Sequence, residues 1–211
     1  AAAEKANREK TEFISRISHD IRTPISGITN MTAFAKEDID DRAKLLHDLG
    51  RIEASNTFLL SLINDVLDIS KIDSGKIELH PEPYPYDEYI ESLRSIFEPL
   101  CLQNGQIFNI LGDESAGGHA VLVDRIRYNQ IALNLLSNAA KYTPAGGTIT
   151  YRSQAEKRPD GMIACSFEIS DTGIGMSDSF QKTMFEPFTQ EYDNPERMKL
   201  PSGTGLGLSI V

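Results

Sequence analysis

Long apolar runs are missing from this 211-residue chain. None approaches the roughly 20 residues that a membrane-spanning helix requires, and the opening AAAEKANREKTEF is a charged helix former rather than a signal peptide. No direct membrane contact is therefore expected of this segment. It is expected in the cytoplasm, with any sensor or membrane anchor of the full-length protein lying outside it. Basic residues are scarce as well. Lys plus Arg number 21 against 31 Asp plus Glu, a net charge of −10, which opposes attraction to nucleic-acid phosphates or anionic lipid and argues against a nucleic-acid partner. Cysteine is limited to Cys101 and Cys165. The two lack metal-ligand spacing and sit in apolar surroundings, so both are expected to be reduced and buried, in a reducing compartment. Between residues 3 and 73 there are only one proline and two glycines, and strand signals are almost absent.

That first region holds apolar residues at helical spacing instead. Phe13, Ile17, Ile21, Ile28, Met31 and Ala35 form one stripe, and Leu45, Leu49, Ile52, Leu59, Ile63, Val66 and Leu67 a second. The polar stretch FAKEDIDDRAKL between them suits a turn, so the pattern predicts a helical hairpin with helices over roughly 4–36 and 40–73. A hairpin has too little partner surface to bury both stripes. Two copies packed as a dimeric four-helix bundle are expected, the alternative being a hairpin covered by the rest of the same chain. Gly75, Pro81, Pro83 and Pro85 then mark a linker, giving domains 1–76 and 77–211.

Beyond the linker the pattern mixes helix and strand. DEYIESLRSIFEPLCLQNG reads as a helix closed by Gly105, QIFNIL as a strand, and DRIRYNQIALNLLSNAAKYT as a helix burying Ile126, Ile131, Leu133, Leu135 and Leu136. GTITYRSQAEKRPDGMIACSFEIS reads as a hairpin turning at RPDG, with Ile149 and Tyr151 inward on one strand and Ile163, Cys165, Phe167 and Ile169 alternating on the other. The expected fold is an α+β two-layer sandwich.

Three stretches carry polar and glycine residues that packing alone would not select. In NLLSNAAKYTPAGG, Asn134, Asn138 and Lys141 share a helix face, beside Tyr142. Amide oxygens with an ammonium suit a magnesium ion held together with substrate phosphates; a solvated polar face fits equally. In SDTGIGM, Asp171 can accept from an exocyclic amino group such as that of adenine, and Gly173 and Gly175 let the backbone approach a flat ligand. A tight turn explains that stretch equally well. In GTGLGLSI, Gly203, Gly205 and Gly207 lead into an apolar helical run, a loop able to present N–H groups to phosphate oxygens. Neither a dinucleotide fingerprint nor a P-loop fits the spacing.

Taken in order, SHDIRTP, NLLSNAAKYT, DTGIGM, FEPF and GTGLGL resemble the H, N, G1, F and G2 boxes of bacterial sensor histidine kinases, from about residue 8 onward. The resemblance implies a dimerisation and histidine-phosphotransfer hairpin followed by a catalytic domain with the fold of gyrase-type ATPases. It implies ATP and Mg2+ as cofactors, a homodimer, and a response-regulator receiver domain as partner. Asn138 would bind magnesium, Asn134 and Lys141 would meet magnesium or phosphate, and Tyr142 would pack near the base. Asp171 would hold the adenine amino group in a pocket shaped by Gly173 and Gly175. Phe185 and Phe188 would anchor a lid, and the loop Gly203, Thr204, Gly205, Leu206 and Gly207 would close around the phosphates. QEYDNPERMKLPS suits a mobile lid bringing Arg197 or Lys199 to the phosphates. The family continues past the second glycine box with the rest of that helix and at least one more strand; the sequence stops at Val211, so the catalytic domain is expected to be truncated there or to continue beyond it.

The remaining question is His19. A phosphoryl acceptor needs a ring nitrogen with its lone pair free, which imidazole offers near neutral pH. Asp20 could take the proton from the other nitrogen. Adjacent residues do not face each other on an ideal helix, but Pro24 cannot donate to the carbonyl of Asp20 and should bend the helix there. By the resemblance, Thr23 in the His-acid-x-x-Thr pattern would position a water to remove phosphate from the partner's aspartate. The expectation is an ATP-dependent protein-histidine kinase; the alternatives are a degenerate, nucleotide-binding dimeric scaffold without phosphotransfer and a gyrase-like or chaperone-like ATPase, which would not explain the SHDIRTP hairpin. His47, His80 and His119 are expected to be structural or surface residues.

Overall fold

The computed structural model describes residues 2–112, 118–159, 163–191 and 204–211. It divides into two compact units: Ala1–Lys76 with Thr204–Leu206, and Ile77–Gly203 with Gly207–Val211. No helix among the described residues is long and apolar enough to cross a membrane.

The first unit is a hairpin of α1 (Ala2–Glu37) and α2 (Arg42–Asp73). Asp41 caps α2, its carboxylate accepting from Ala43 N at 3.1 Å and Lys44 N at 3.2 Å. The bond from Lys44 N is the main reason this carboxyl is held below the usual range. Lys44 Nζ reaches Asp38 and Asp41 at 3.3 and 3.7 Å, tying the turn together. Residues 45, 48, 52, 55, 59, 62, 66 and 69 of α2 are buried or half-buried, an alternation of three and four that packs one helix against another. The matching positions on α1 are 17, 21, 24, 28, 31 and 35. Where the helices pass closely, a methyl added to Gly27 would meet Ser55 Oγ at 3.7 Å.

This seam corrects the expected stripe on α2. Leu49, Ile63 and Leu67 are 47%, 38% and 53% exposed, whereas Leu62 and Ile69 are buried. Because α2 is apolar on two sides, hydropathy could not rank them; the three-four rhythm of the contact with α1 does. The α1 stripe is half-buried from Ile17 to Ala35, and the side chain of Phe13 lies outside the described residues.

The second unit runs β1 (Glu82–Pro85), α3 (Tyr86–Gln103), β2 (Ile107–Leu111), β3 (Ala120–Val123), α4 (Arg125–Tyr142), β4 (Thr148–Lys157), β5 (Ile163–Asp171) and α5 (Asp178–Gln181). A 3-10 turn, Gly207–Ile210, stands where a longer helical run was expected. The main sheet has the order β2-β4-β5, with β2 parallel and β5 antiparallel to β4. Helices α3 and α4 cover one face of it. Leu93, Phe97 and Cys101 of α3 and Ala132, Leu136, Ala139 and Ala140 of α4 form one core with Ile149 and Tyr151 of β4. The sandwich is thus as expected, including the inward pair on β4.

Three expectations change, and one, the burial of Cys101, holds. The proline-rich linker contains β1, antiparallel to β3, with Tyr84 buried and Pro83 and Pro85 outward; a two-stranded edge tolerates prolines that a central strand would not. Ile126 is 77% exposed because it falls in the first turn of α4, ahead of the core. Cys101 is buried, with its thiol pushed up by desolvation. Cys165, which pairs with Ala155, is exposed on β5. Phe167 and Ile169 of the same strand do pack on the core, and the Ile163 side chain lies outside the described residues.

Candidate functional site

His19 sits in the fifth turn of a helix that runs unbroken through Pro24. Its ring is 77% exposed, and its Nδ1 lies 3.1 Å from Asp20 Oδ1. The contact between adjacent residues, which an ideal helix does not favour, is therefore made. Since a carboxylate only accepts, Nδ1 is the donor in this contact, which in the neutral ring leaves the lone pair on Nε2. Thr23 Oγ1 donates to His19 O at 3.2 Å, so its oxygen still offers lone pairs to a water. Pro24 supplies no N–H to the carbonyl of Asp20, which loosens the backbone at the acid itself.

In the second unit, α4 presents the asparagines. Its N-terminus is fixed by Asp124, whose carboxylate accepts from Arg127 N at 3.1 Å and from His80 N at 3.0 Å. The His80 bond is the largest reason this carboxyl sits below the usual range. Burial of Leu136, Ala139 and Ala140 sets the rotation of the helix. Asn134 Nδ2 donates to Gly207 O at 3.2 Å, which leaves its amide oxygen as an acceptor. Asn138 is one turn further on. Lys141 Nζ stands 4.9 Å from the centre of the Tyr142 ring, a cation–π distance.

The end of β5 meets the end of α4. Asp171 Oδ1 accepts from Gly173 N at 2.8 Å, and Ile174 N donates to Tyr142 O at 3.1 Å. A methyl on Gly173 would lie 2.5 Å from Tyr142 O and 2.6 Å from Asp171 Oδ1, so only glycine allows this approach. Gly175 has φ +67°, the left-handed region. Gly205 has φ +70°, and Leu206 N donates to Thr204 Oγ1 at 3.2 Å. Phe188 is buried with φ +62°, while Phe185 is exposed. Gly203 and the two lid cations, Arg197 and Lys199, lie outside the described residues.

The structure thus brings Asn134 to Gly207, Asp171 to Gly173, and Tyr142 to both Lys141 and Ile174. Phe180, buried beneath the Ser177 cap of α5, was missed in the sequence, as was the second partner of Asp124. A serine three residues before an aromatic was the available signal for the first; nothing local signals the second. The donor set fits a nucleotide with a hard cation: amide oxygens on α4, an acidic acceptor on β5 and glycines at each backbone approach. Among the described residues no three His, Cys, Asp or Glu converge as a metal cage.

Two domain families match. Residues 9–75 match the His Kinase A phospho-acceptor domain, and residues 123–211 match the histidine kinase-, DNA gyrase B- and HSP90-like ATPase. The chain belongs to the sensor histidine kinases. It is 34% identical over 209 residues to the autoinducer 2 sensor kinase/phosphatase LuxQ of Vibrio parahaemolyticus, covering 99% of this chain and 24% of LuxQ. It is 38% identical over 210 residues to the virulence sensor protein BvgS of Bordetella bronchiseptica, covering 99% of this chain and 17% of BvgS. This histidine kinase segment therefore spans a quarter or less of the length of those relatives. Among solved structures, full-length ShkA in complex with AMPPNP shares 28% identity at a TM-score of 0.62, over 94% of this chain and 39% of ShkA. The Acinetobacter baumannii histidine kinase AdeS shares the fold, with 22% identity, a TM-score of 0.61, and coverage of 91% and 83%.

Proposed function

We propose that this chain is the catalytic core of an ATP-dependent protein-histidine kinase that phosphorylates itself on His19. Residues 1–76 serve as the dimerisation and phosphotransfer hairpin and residues 77–211 as the ATP-binding domain. The observation that carries the reading is the 3.1 Å contact between His19 Nδ1 and Asp20 Oδ1 on an exposed ring. With Nδ1 as the donor to Asp20, the neutral ring presents Nε2 as the nucleophile.

In the reaction, Nε2 forms the bond to the γ-phosphorus of ATP as the bond to the bridging β,γ oxygen breaks, and ADP leaves. Asp20 takes up the Nδ1 proton, so the phosphorylated ring carries no extra positive charge. Asp171 holds the adenine amino group by the carboxylate oxygen that Gly173 N does not occupy. Tyr142 packs beside the base, and Gly173 and Gly175 admit its plane. Asn134, Asn138 and Lys141 face the phosphates, with the amide oxygen of Asn138 as the magnesium ligand. Magnesium, when bound, neutralises phosphate charge. Phe185 and Phe188 flank the lid, and the 203–207 loop supplies N–H groups to phosphate oxygens. The similarity to ShkA, solved with a nucleotide analogue, supports the pocket.

Two partners follow. Leu46, Leu49, Leu60, Ile63 and Leu67 leave a second apolar side on α2, which supports a homodimer built as a four-helix bundle. The phosphoryl group on His19 passes to an aspartate of a response-regulator receiver domain; a histidine kinase of the same fold, ThkA, has been solved with its response regulator TrrA. Thr23, whose hydroxyl hydrogen is engaged by His19 O, can accept from a water and so orient it toward the phosphorylated aspartate. LuxQ, described as a sensor kinase/phosphatase, is consistent with that second activity.

The test is incubation with γ-labelled ATP and magnesium. Acid-labile label on the wild type and none on His19→Ala is the expected result. No label on the wild type would leave a nucleotide-binding scaffold, and equal label on His19→Ala would place the acceptor elsewhere. A mixed dimer of His19→Ala and Asn138→Ala chains then decides between phosphorylation within and between protomers.

A further inference from the structure

The last carbonyls of a helix have no donors within it and must find them elsewhere. At the end of α4, Ala139 O receives Thr143 N at 3.0 Å and Tyr142 O receives Ile174 N at 3.1 Å. Ala140 O and Thr143 O are served from far away in the chain. Both N–H groups of the Gln106 amide reach them, at 2.8 and 2.5 Å.

Gln106 is 8% exposed and held on every side. Its backbone N donates to Cys101 O at 2.8 Å, closing α3 together with Gly105, which has φ +69°. Its neighbours are joined to the loop after α4: Gly146 N donates to Gly105 O at 2.7 Å, and Ile107 N to Gly147 O at 2.9 Å. One residue therefore closes α3 through its backbone and α4 through its side chain. The two carbonyls it holds bracket Lys141 and Tyr142.

The structure assigns Gln106 as a positioning residue for nucleotide binding: its buried amide clamps the Lys141–Tyr142 turn so that the lysine, the tyrosine ring and the Tyr142 carbonyl keep their places. The assignment rests on the reading of α4 as the nucleotide helix. Ile174 N holds the Tyr142 carbonyl while Gln106 holds the carbonyls on either side of Lys141 and Tyr142, so the turn has two tethers. Without Gln106 two buried carbonyls lose their partners, the turn relaxes, and the Tyr142 O to Ile174 N bond that registers the glycine loop loosens with it.

Gln106→Met keeps the volume and removes both donors. Calorimetry of AMP-PNP with magnesium on the full chain should show Kd raised about tenfold or more, because two buried carbonyls left without donors no longer hold the turn in its binding position. Amide exchange at Ile174 should quicken. Cys101→Ala, which shortens a side chain of the same core and keeps the backbone carbonyl that accepts from Gln106 N, is the comparison for lost stability; at a temperature where both variants are folded it should bind AMP-PNP within threefold of the wild type. If Gln106→Met binds as tightly as the wild type, or no more weakly than Cys101→Ala, or leaves Ile174 exchange unchanged, the assignment is overturned. A wild type that binds no AMP-PNP would overturn the nucleotide reading itself, and the assignment with it.

Discussion

Gly173→Ala tests the junction of α4 and β5 more sharply than any polar substitution. The added methyl would lie 2.5 Å from Tyr142 O and 2.6 Å from Asp171 Oδ1. Side chains essentially never approach closer than 3.0 Å, so the backbone must separate by at least 0.5 Å, the difference between 2.5 and 3.0 Å. The bond from Ile174 N to Tyr142 O, 3.1 Å long, would then stretch to about 3.6 Å, beyond a useful hydrogen bond. Leaving a partly buried carbonyl unpaired costs about 1–3 kcal/mol. Taken from nucleotide binding, that is about a 5- to 150-fold loss. The Asp171 carboxylate is displaced by the same methyl, so the adenine contact suffers along with the register of the loop. The assay is calorimetric titration with AMP-PNP and magnesium, alongside the initial rate of label incorporation from ATP and a thermal melt to confirm folding. Affinity within twofold of wild type in a folded Gly173→Ala chain would refute the argument, since the site would then tolerate the separation that the geometry forbids.

Other outcomes follow from the same contacts. Asp20→Asn keeps an oxygen facing His19 Nδ1 but cannot take its proton; the autophosphorylation rate should fall about 100-fold, in the usual range for a lost general base, and an unchanged initial rate would remove Asp20 from the chemistry. Thr23→Ala should accumulate label on His19 normally yet release phosphate more slowly from a phosphorylated receiver domain, which a phosphate-release assay reads directly. Asp65 on α2 has its carboxyl pushed up to about 6, by burial first and then by the Asp68 charge. The folded state therefore holds this proton more tightly than the unfolded chain does, so the contribution to stability is present below about pH 4 and is lost as pH rises through 6. Asp65→Asn should accordingly raise the urea midpoint more at pH 8 than at pH 5, and an equal gain at both would contradict it. Asp124→Asn retains an oxygen for Arg127 N but not a second acceptor for His80 N; amide exchange at His80 should quicken while the α4 amides hardly change.

What could be read from the sequence divides by the range of the interaction. Features set within one turn were legible: Gly105 at the end of α3, the polar turn before Asp41, and the inward alternation of Ile149 and Tyr151 on β4. Features set by what lies opposite were not. Leu62 rather than Ile63 lines the hairpin seam because of where α1 lies, and β1 forms among prolines only because β3 supplies the other strand. Cys165 is exposed although it alternates with Phe167 and Ile169, which pack on the core. The site shows the same division at shorter range. That His19 and Asp20 are adjacent was plain, but whether the carboxylate reaches Nδ1 depended on rotamers, and the 3.1 Å contact decides it.

Gln106 is the limiting case. Its acceptors lie 34 and 37 residues downstream, and a glutamine between a helix-ending glycine and a strand has no local pattern to mark it. Asparagines and glycines can be recognised because phosphate and base chemistry restricts which residues serve. The residues that hold them in place face no such restriction, because any donor of the right length can cap a helix. The recognisable boxes therefore account for the residues proposed to touch the nucleotide, while the precision with which they are held depends on contacts that only the folded chain assembles. A chain with every box intact and a lysine–tyrosine turn left untethered would bind nucleotide poorly, which is why substitutions at supporting positions such as Gln106 discriminate between an intact kinase core and one that only looks like it.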